Sequence, residues 1–460
     1  MRSLKVTSMP RLSREEIEKN FAEMQPRMFD AEALAEAARC LYCYDAPCTK
    51  ACPTHIEVPS FIKKIATGNL TGAARVIFDA NPIGATCARV CPVEVLCEGA
   101  CVENTLLNKP IEIGRLQRYA TDHLLRSDRP LFSAGEPNGL SVGIIGSGPA
   151  GLSCAFYLLR LGYRVSIYDK RKDPGGLDTY AMAEYKMTRD ISIAEAKRIR
   201  QMGAVFHLDT EVVETKDLAD AGGGARVKYA ELKRQHDAIF LAIGLGATRR
   251  INIPGEHLSG VTDALRFIEM VKTRHWDLVP VGRFVAVIGA GNTAIDAATQ
   301  AKRLGAERVF MIYRRTPDEM PAYNYEFELA KQDGIEFIWQ TRPIAITGDG
   351  RVEALKCEKT DGTATTFDVE CDQVITAIGQ ERLAVFFKNV AGVEVDDVGR
   401  VRVNEMMQTS DPKVFAGGDC TTGGGEAVEA AQMGKIAAQG IHFELTGQKV
   451  WFAGLGSIEK

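Results

Sequence analysis

Twice in this chain a run of β-formers ends at a glycine loop, opens directly into a helix and is followed by a second strand. The first copy is SVGIIGSGPAGLSCAFYLLRLGYRVSIYDK, residues 141 to 170, and the second is FVAVIGAGNTAIDAATQAKRLGAERVFMIYRR, residues 284 to 315. In the first, Gly146 makes the tight turn, Gly148 lets the backbone approach a pyrophosphate, and Gly151 lets helix and strand pack closely. Ser147, Pro149 and Ala150 fill the loop, and Asp169 at the end of the next strand is placed to hold ribose hydroxyls. The second copy carries Gly289, Ala290, Gly291, Asn292 and Thr293 in its loop. Two such units predict two bound dinucleotides on an α/β architecture of parallel sheets covered by helices.

The slot that Asp169 fills in the first copy holds Tyr313 in the second, with Arg314 and Arg315 immediately after it. An acid there favours NAD, whereas arginines meet the 2′-phosphate of NADP. The alternative is that both arginines simply pair with surface carboxylates.

A chain of 460 residues, 45% hydrophobic, buries a large core and divides into several domains. With a net charge of −4 and no Lys/Arg run above solvated surface, no nucleic-acid footprint is visible and no nucleic-acid partner is expected. The opening stretch, MRSLKVTSMPRLSREEIEKN, has no signal-peptide core, and no apolar run reaches membrane-spanning length. A cytoplasmic, reducing location is therefore expected, with no membrane partner, and disulfides are not.

Eight of the twelve cysteines lie between Cys40 and Cys101. CLYCYDAPCTKACP supplies Cys40, Cys43, Cys48 and Cys52, and CARVCPVEVLCEGAC supplies Cys87, Cys91, Cys97 and Cys101. Zinc sites usually pair two close C-x2-4-C knuckles, whereas the second group reads C-x3-C-x5-C-x3-C and only Cys40 and Cys43 make a tight C-x2-C knuckle. In two-cluster ferredoxins the cysteine before proline ligates the other cluster. By that logic Cys40, Cys43 and Cys48 share one [4Fe-4S] centre with a cysteine of the second group, while Cys52 crosses to join two others. Cys154, inside a nucleotide-domain helix, reads as a small buried thiol.

The cysteines sit among helical patterns at 31–40 and 60–80, the latter broken at Gly68 and Asn69, and a further segment at 105–125 closes an all-helical domain. The turn-rich SDRPLFSAGEPNGL reads as a linker, and Phe240 and Ile375 fall in two later buried strands that turn at glycine. VFAGGDCTTGGGEAVEAAQMGKIAA adds strand, Gly418-Asp419, a glycine loop and a helix.

Paired fingerprints with GGD near the carboxyl end resemble the two-dinucleotide-binding flavoprotein reductases. With the cysteine-rich helical prefix, the whole chain resembles the electron-input half of the dihydropyrimidine dehydrogenases, a separate small subunit in bacteria. Glutamate synthase small subunits share the architecture. Gln117, in IEIGRLQRY, matches a glutamine that completes one cluster in the dehydrogenases. The resemblance implies a helical iron–sulfur domain at 1–126, a linker at 127–140, FAD-binding segments at 141–255 and 373–460, and an NAD(P)H-binding domain inserted at 256–372. It implies one cluster on Cys40, Cys43, Cys48 and Cys101, and a second on Cys52, Cys91, Cys97 and Gln117, with Cys87 left over. Flavin contacts carried over are Gly146 to Gly151, Asp169, Gly175, Gly176, Leu177, Lys186, Gly418, Asp419, Ala427 and Val428. Nicotinamide contacts are Ala290, Gly291, Asn292, Thr293, Arg314 and Arg315, although TPDEMPAYNYEFELA beyond them departs from the animal enzyme towards bacterial small subunits, which are regarded as NAD enzymes.

The implied cofactors are FAD, two [4Fe-4S] clusters and NAD(H) or NADP(H). They carry the redox chemistry, so no catalytic acid or base is assigned. Because the chain ends without an FMN-binding barrel, the resemblance implies a partner subunit that holds FMN and reduces uracil or thymine. Two rivals predict different outcomes: the same module serving glutamate synthase or another ferredoxin-linked reductase, and a non-catalytic zinc scaffold or redox sensor without NAD(P)H oxidation.

Overall fold

The computed structural model describes residues 12–127, 129–214, 224–273 and 276–453. The first eleven residues, which head the stretch read for a signal peptide, and the last seven of the carboxyl-terminal tail lie outside the described residues, as do 128, 215–223 and 274–275. The chain forms two compact units: the described parts of Gln25–Thr179, Arg189–Gly246 and Arg382–Lys460 make one, and those of Met1–Met24, Tyr180–Thr188 and Ala247–Glu381 make the other.

The larger unit begins with short helices, among them Asp30–Ala38, Val58–Ala66, Leu70–Ala80, Gly84–Val90 and Ile113–Leu125. The expected break is present: Gly68 takes φ +75°, and Asn69 caps the next helix by accepting the Gly72 amide at 2.9 Å. Phe61, Ile62, Ile65, Ile77, Leu116 and Ala120 form their common core. The segment expected as a linker is stitched down, its Gly135 and Asn138 amides donating to the Leu159 and Gly162 carbonyls at 3.0 and 3.1 Å. Gly135 is required there, since a Cβ would stand 2.4 Å from the Arg160 carbonyl oxygen.

Next comes a five-stranded parallel sheet in the order Val414–Ala416, Ala238–Leu241, Ser141–Ile145, Arg164–Tyr168, Val205–His207. Its central strands are buried throughout, as strands covered on both faces are. Helices Pro149–Arg160 and Ala427–Thr446 lie against each other in near backbone contact. A Cβ on Gly434 would stand 2.2 Å from the Ala150 carbonyl oxygen, and Ser153 Oγ donates to the Ala431 carbonyl at 2.6 Å. Tyr157 Oη ties the first of these helices to the cysteine domain through the Asp79 and Ala80 carbonyls at 2.9 and 2.8 Å.

The smaller unit holds a second parallel sheet in the order Glu336–Ile338, Arg308–Ile312, Phe284–Ile288, Gln373–Thr376, Val261–Asp263. A three-stranded antiparallel sheet, Thr341–Thr347, Ala354–Lys359 and Thr366–Glu370, adjoins it.

The expected boundaries differ in four places, one of them Tyr180–Thr188, expected in the first nucleotide domain and found in this smaller unit. Gln373–Thr376, assigned to the first nucleotide domain, pairs inside the second sheet. The segments that enter and leave this unit also pair with each other, through Arg249 N to Gly379 O and Glu381 N to Ala247 O at 2.9 and 2.8 Å, so the inserted domain runs beyond 256–372 on both sides. Helix Arg14–Asn20, placed by sequence with the iron–sulfur domain, buries Ile17 and Phe21 in the core of this unit, where Phe21 stacks on Trp276 at 5.2 Å.

Candidate functional site

The loop carrying the first cysteines contains three non-glycine residues in the left-handed region, Tyr42, Ala46 and His55 at φ +53°, +38° and +53°. Each costs on the order of 1 kcal/mol or more, and such strain collects at functional sites. Here it folds the loop so that Cys40, Cys43 and Cys48 line one hollow with Cys101 from the second group. Pro47, Val58, Ile62, Ile111 and Ile113 make the rest of the wall apolar. Burial pushes the Cys48 thiol up to about 12, and the charges of Cys101 and Cys40 act in the same direction. Four thiols lining one largely apolar hollow fit an iron–sulfur cluster.

Cys91 and Cys97 form a second group with Cys52: the Cys91 thiol feels Cys52 and Cys97, and the Cys97 thiol feels Cys52. Burial raises the Cys97 thiol, with Cys52 and Cys48 adding to the effect. Cys91 ends helix Gly84–Val90, and Cys87 sits one turn earlier, buried, with Asn81 Nδ2 3.1 Å from its sulfur. Gln117 points at the start of that helix, donating through Nε2 to the Gly84 carbonyl at 2.7 Å. Its amide nitrogen is thereby committed to protein, which orients the oxygen as its remaining ligating atom. Among the described residues no three His, Cys, Asp or Glu side chains converge on one point as ligands of a single ion do.

At the first glycine loop, Gly146 takes φ +104° because a Cβ would stand 2.2 Å from the Ala242 carbonyl oxygen, and Gly151 is needed because a Cβ would meet the Gly146 oxygen at 2.0 Å. Gly148 is open, with only Gly176 Cα within 4 Å of its missing Cβ. This is the cradle that a pyrophosphate requires at the start of helix Pro149–Arg160. Asp169 accepts Ser147 N and Oγ at 2.8 and 2.5 Å, so the acid braces the loop. Gly175 N donates to Ser147 O at 2.9 Å, which brings Gly175 and Gly176 onto the loop, and Leu177 opens the short helix beyond them.

Gly418 approaches Ala150, its virtual Cβ 3.2 Å away, and this sets Asp419 beside the same loop. Burial raises the Asp419 carboxyl to about 6, opposed by the Gly425 amide and the Arg382 charge. Ala427 and Val428 open the long helix, with Val428 buried in the core.

In the smaller unit, Gly289 takes φ +133° against the Ala377 carbonyl, and Gly291 caps helix Asn292–Arg303. Ala290 is buried, Thr293 is exposed, and Asn292 Oδ1 accepts the Tyr323 amide at 3.1 Å. Arg314 and Arg315 stand exposed after strand Arg308–Ile312, with Arg315 4.0 Å from Glu319. A pair at that distance and exposure leaves the guanidinium available to a phosphate. Lys186, assigned to the flavin by resemblance, belongs to this unit and is buried between Asp296 at 2.6 Å and Glu326.

Three residues were missed by sequence reasoning. Glu195 caps the helix that leads to Cys91. The Arg382 guanidinium lies over Gly423, where a Cβ would meet Nη2 at 2.3 Å, and its buried Nη1 has no hydrogen-bond partner among the described residues. Lys435 is fully buried on helix Ala427–Thr446. Lys435 alone left a signal, a cation on the face that also carries Ala431, Ala438 and Ile441.

Comparison with known proteins follows the same division. Residues 140–434 match the family "Pyridine nucleotide-disulphide oxidoreductase", and residues 17–129 match "Dihydroprymidine dehydrogenase domain II, 4Fe-4S cluster". The chain is 34% identical to the NAD-dependent dihydropyrimidine dehydrogenase subunit PreT of Escherichia coli K12, covering 92% of this chain and 97% of that protein. It is 33% identical to the NADPH glutamate synthase small chain of Halomonas elongata, covering 92% and 93%. Among solved structures, thioredoxin reductase of T. acidophilum superposes with a TM-score of 0.54 at 23% identity, over 66% of this chain and 98% of that one. Mycobacterium tuberculosis FprA in complex with NADPH gives 0.55 at 20% identity, over 68% and 85%. Among the described residues no helix is long and apolar enough to cross a membrane. The chain belongs to the pyridine nucleotide-disulphide oxidoreductase family, and with its amino-terminal 4Fe-4S domain it is an NAD(P)H-dependent flavin and iron–sulfur oxidoreductase.

Proposed function

We propose that the chain is the NAD(P)H-oxidising subunit of a dihydropyrimidine dehydrogenase, delivering electrons through FAD and two [4Fe-4S] clusters to an FMN-containing partner that reduces uracil or thymine to the 5,6-dihydropyrimidine. The observation that carries this reading is the joining of the cysteine domain and the first glycine loop in one compact unit, while the second loop belongs to the other. Similarity to PreT over nearly its whole length supports the choice of substrate and partner.

When bound, the flavin accepts a hydride from nicotinamide, and the clusters carry single electrons. The chain's own residues bind, orient and insulate. Gly146 to Gly151 present backbone N–H groups to the flavin pyrophosphate, Asp169 holds the loop and the ribose, and Gly418 with Asp419 closes the site from the other side. Ala290 to Thr293 do the same for the nicotinamide dinucleotide, and Arg314 with Arg315 faces its 2′ position. Cys40, Cys43, Cys48 and Cys101 hold one cluster, and Cys52, Cys91, Cys97 and Gln117 the other. An amide oxygen in place of one thiolate changes cluster charge and so its potential.

A second reading, glutamate synthase small chain, is favoured by the nearly equal identity to that NADPH enzyme together with the exposed Arg314 and Arg315. Anaerobic purification with metal and sulfide analysis comes first, then NADH- and NADPH-driven dye reduction with and without a co-expressed FMN-binding partner. Roughly eight irons and one FAD per chain, with uracil reduced only beside the partner, is the expected result. Coupling to glutamate formation instead would favour the second reading, and zinc without iron would reject both.

A further inference from the structure

Lys435 is 0% exposed, yet its two described hydrogen bonds go to neutral groups, from Nζ to the carbonyl oxygens of Thr54 at 3.0 Å and Ala453 at 2.9 Å. The Tyr157 ring centroid lies 5.6 Å from the same nitrogen. Other charges that reach it are the Cys52 sulfur and the Asp79–Arg160 ion pair, 2.8 Å across, whose two members oppose each other. Burial draws the ammonium down to about 7, and Cys52 acts in the opposite direction.

An ammonium taken out of water among carbonyls and an aromatic face is strongly destabilised unless an anion stands near. The anion that the geometry offers is at Cys52: Thr54, whose carbonyl receives the lysine, has its hydroxyl 3.4 Å from Cys52 Sγ. A thiolate-ligated iron–sulfur cluster is a buried anion, and its reduction adds one further negative charge. A fixed cation beside it stabilises the reduced form more than the oxidised one, which raises the potential. Lys435 also lies about two turns along the helix that begins with Ala427 and Val428 at the flavin loop, so one rigid element spans both places.

We propose that Lys435 is the built-in counter-charge of the cluster held at Cys52 and sets that cluster's potential above the value its ligands alone would give. The inference rests on the reading of Cys52 as a cluster ligand. The test is an EPR-monitored redox titration of the whole chain, with the Cys52 signal assigned by Cys52→Ser, in Lys435→Gln, Lys435→Met and Lys435→Arg. The two neutral variants are expected to lower that cluster's reduced-to-oxidised ratio at a fixed potential on the order of tenfold, equal to ~59 mV for one electron. The other cluster and the flavin keep their potentials, and Lys435→Arg stays near the wild type. Selective loss of the Cys52 cluster from both neutral variants, with flavin retained and Lys435→Arg fully loaded, would carry the same conclusion. Unchanged potentials in fully loaded Lys435→Gln would overturn it, as would equal shifts or equal iron loss in all three variants. Wild-type chain that holds no iron removes the cluster reading and this inference together, and its metal content tells that outcome apart from the others.

Discussion

The Glu195 carboxylate grips Thr86 twice, accepting its hydroxyl at 2.5 Å on one oxygen and its amide at 3.2 Å on the other, which also accepts the Ala85 amide at 2.7 Å. A residue of helix Arg189–Gln201 in the flavin domain thereby fixes the first turn of the helix that ends at Cys91. Burial raises the Glu195 carboxyl from 4.5 to about 7, despite these donors and the Arg89 charge. Below pH 4.5 the group is protonated in both states. Between 4.5 and 7 the folded chain keeps a proton that the unfolded chain has lost, so this contribution to stability falls as pH rises and is gone above 7. Relative to Glu195→Gln, the wild type should lose ~3 kcal/mol across that window. Urea unfolding of both proteins at several pH values checks this, and parallel curves would refute it.

Under the proposed assignment, Cys87 and Gln117 are the two candidates for the fourth position of the second cluster. Cys87 is buried with Asn81 on its sulfur, and Gln117 is anchored through its nitrogen to Gly84. Gln117→Leu should disturb the EPR spectrum of one cluster while the flavin stays bound, and Cys87→Ala should leave both clusters and the iron content intact. The reverse pattern would make Cys87 the ligand and Gln117 a structural residue.

Both nucleotide loops were legible in the sequence because their requirements are local. Gly146 and Gly289 need positive φ and lie too near a neighbouring carbonyl for any Cβ. The cysteine groups were legible by spacing, and the break at Gly68 and Asn69 by turn chemistry. Sheet membership was not. QVIT is an apolar strand whose composition says that it is buried but not which of two similar sheets receives it, and pairing to Phe284–Ile288 and Val261–Asp263 decides that. Ile17 and Phe21 likewise announce an apolar helix face without naming the core it enters. The Lys186 position was inferred from likeness alone, and no local pattern connects it to Asp296 or Glu326, which are over a hundred residues away.

That buried triad gives a direct check on Lys186. Lys186→Met would strand Asp296 and Glu326 without a counter-charge in a site where the ammonium now stands 2.6 Å from Asp296. Breaking a buried pair on one side costs about 3–5 kcal/mol, so a marked fall in unfolding temperature is expected with flavin absorbance unchanged per folded chain. Normal stability with loss of flavin would instead support the contact implied by resemblance.

Under the proposed reading, Arg314 and Arg315 set which dinucleotide is used. They are exposed at the end of Arg308–Ile312, where the first nucleotide loop has Asp169, and the nearest described carboxylate to Arg315 is Glu319 at 4.0 Å. A 2′-phosphate presents two or three acceptor oxygens to such a pair, whereas the ribose hydroxyl of NADH offers a weak partner. Replacing both by alanine should raise KM for NADPH on the order of three- to tenfold, with kcat nearly unchanged, because the contact is made equally in ground and transition states. KM for NADH should stay within about twofold, since no charged contact is lost there. An equal rise for both dinucleotides would mean that the arginines hold the adenosine end without reading its phosphate, and the preference would then have to come from elsewhere in the loop after Tyr313.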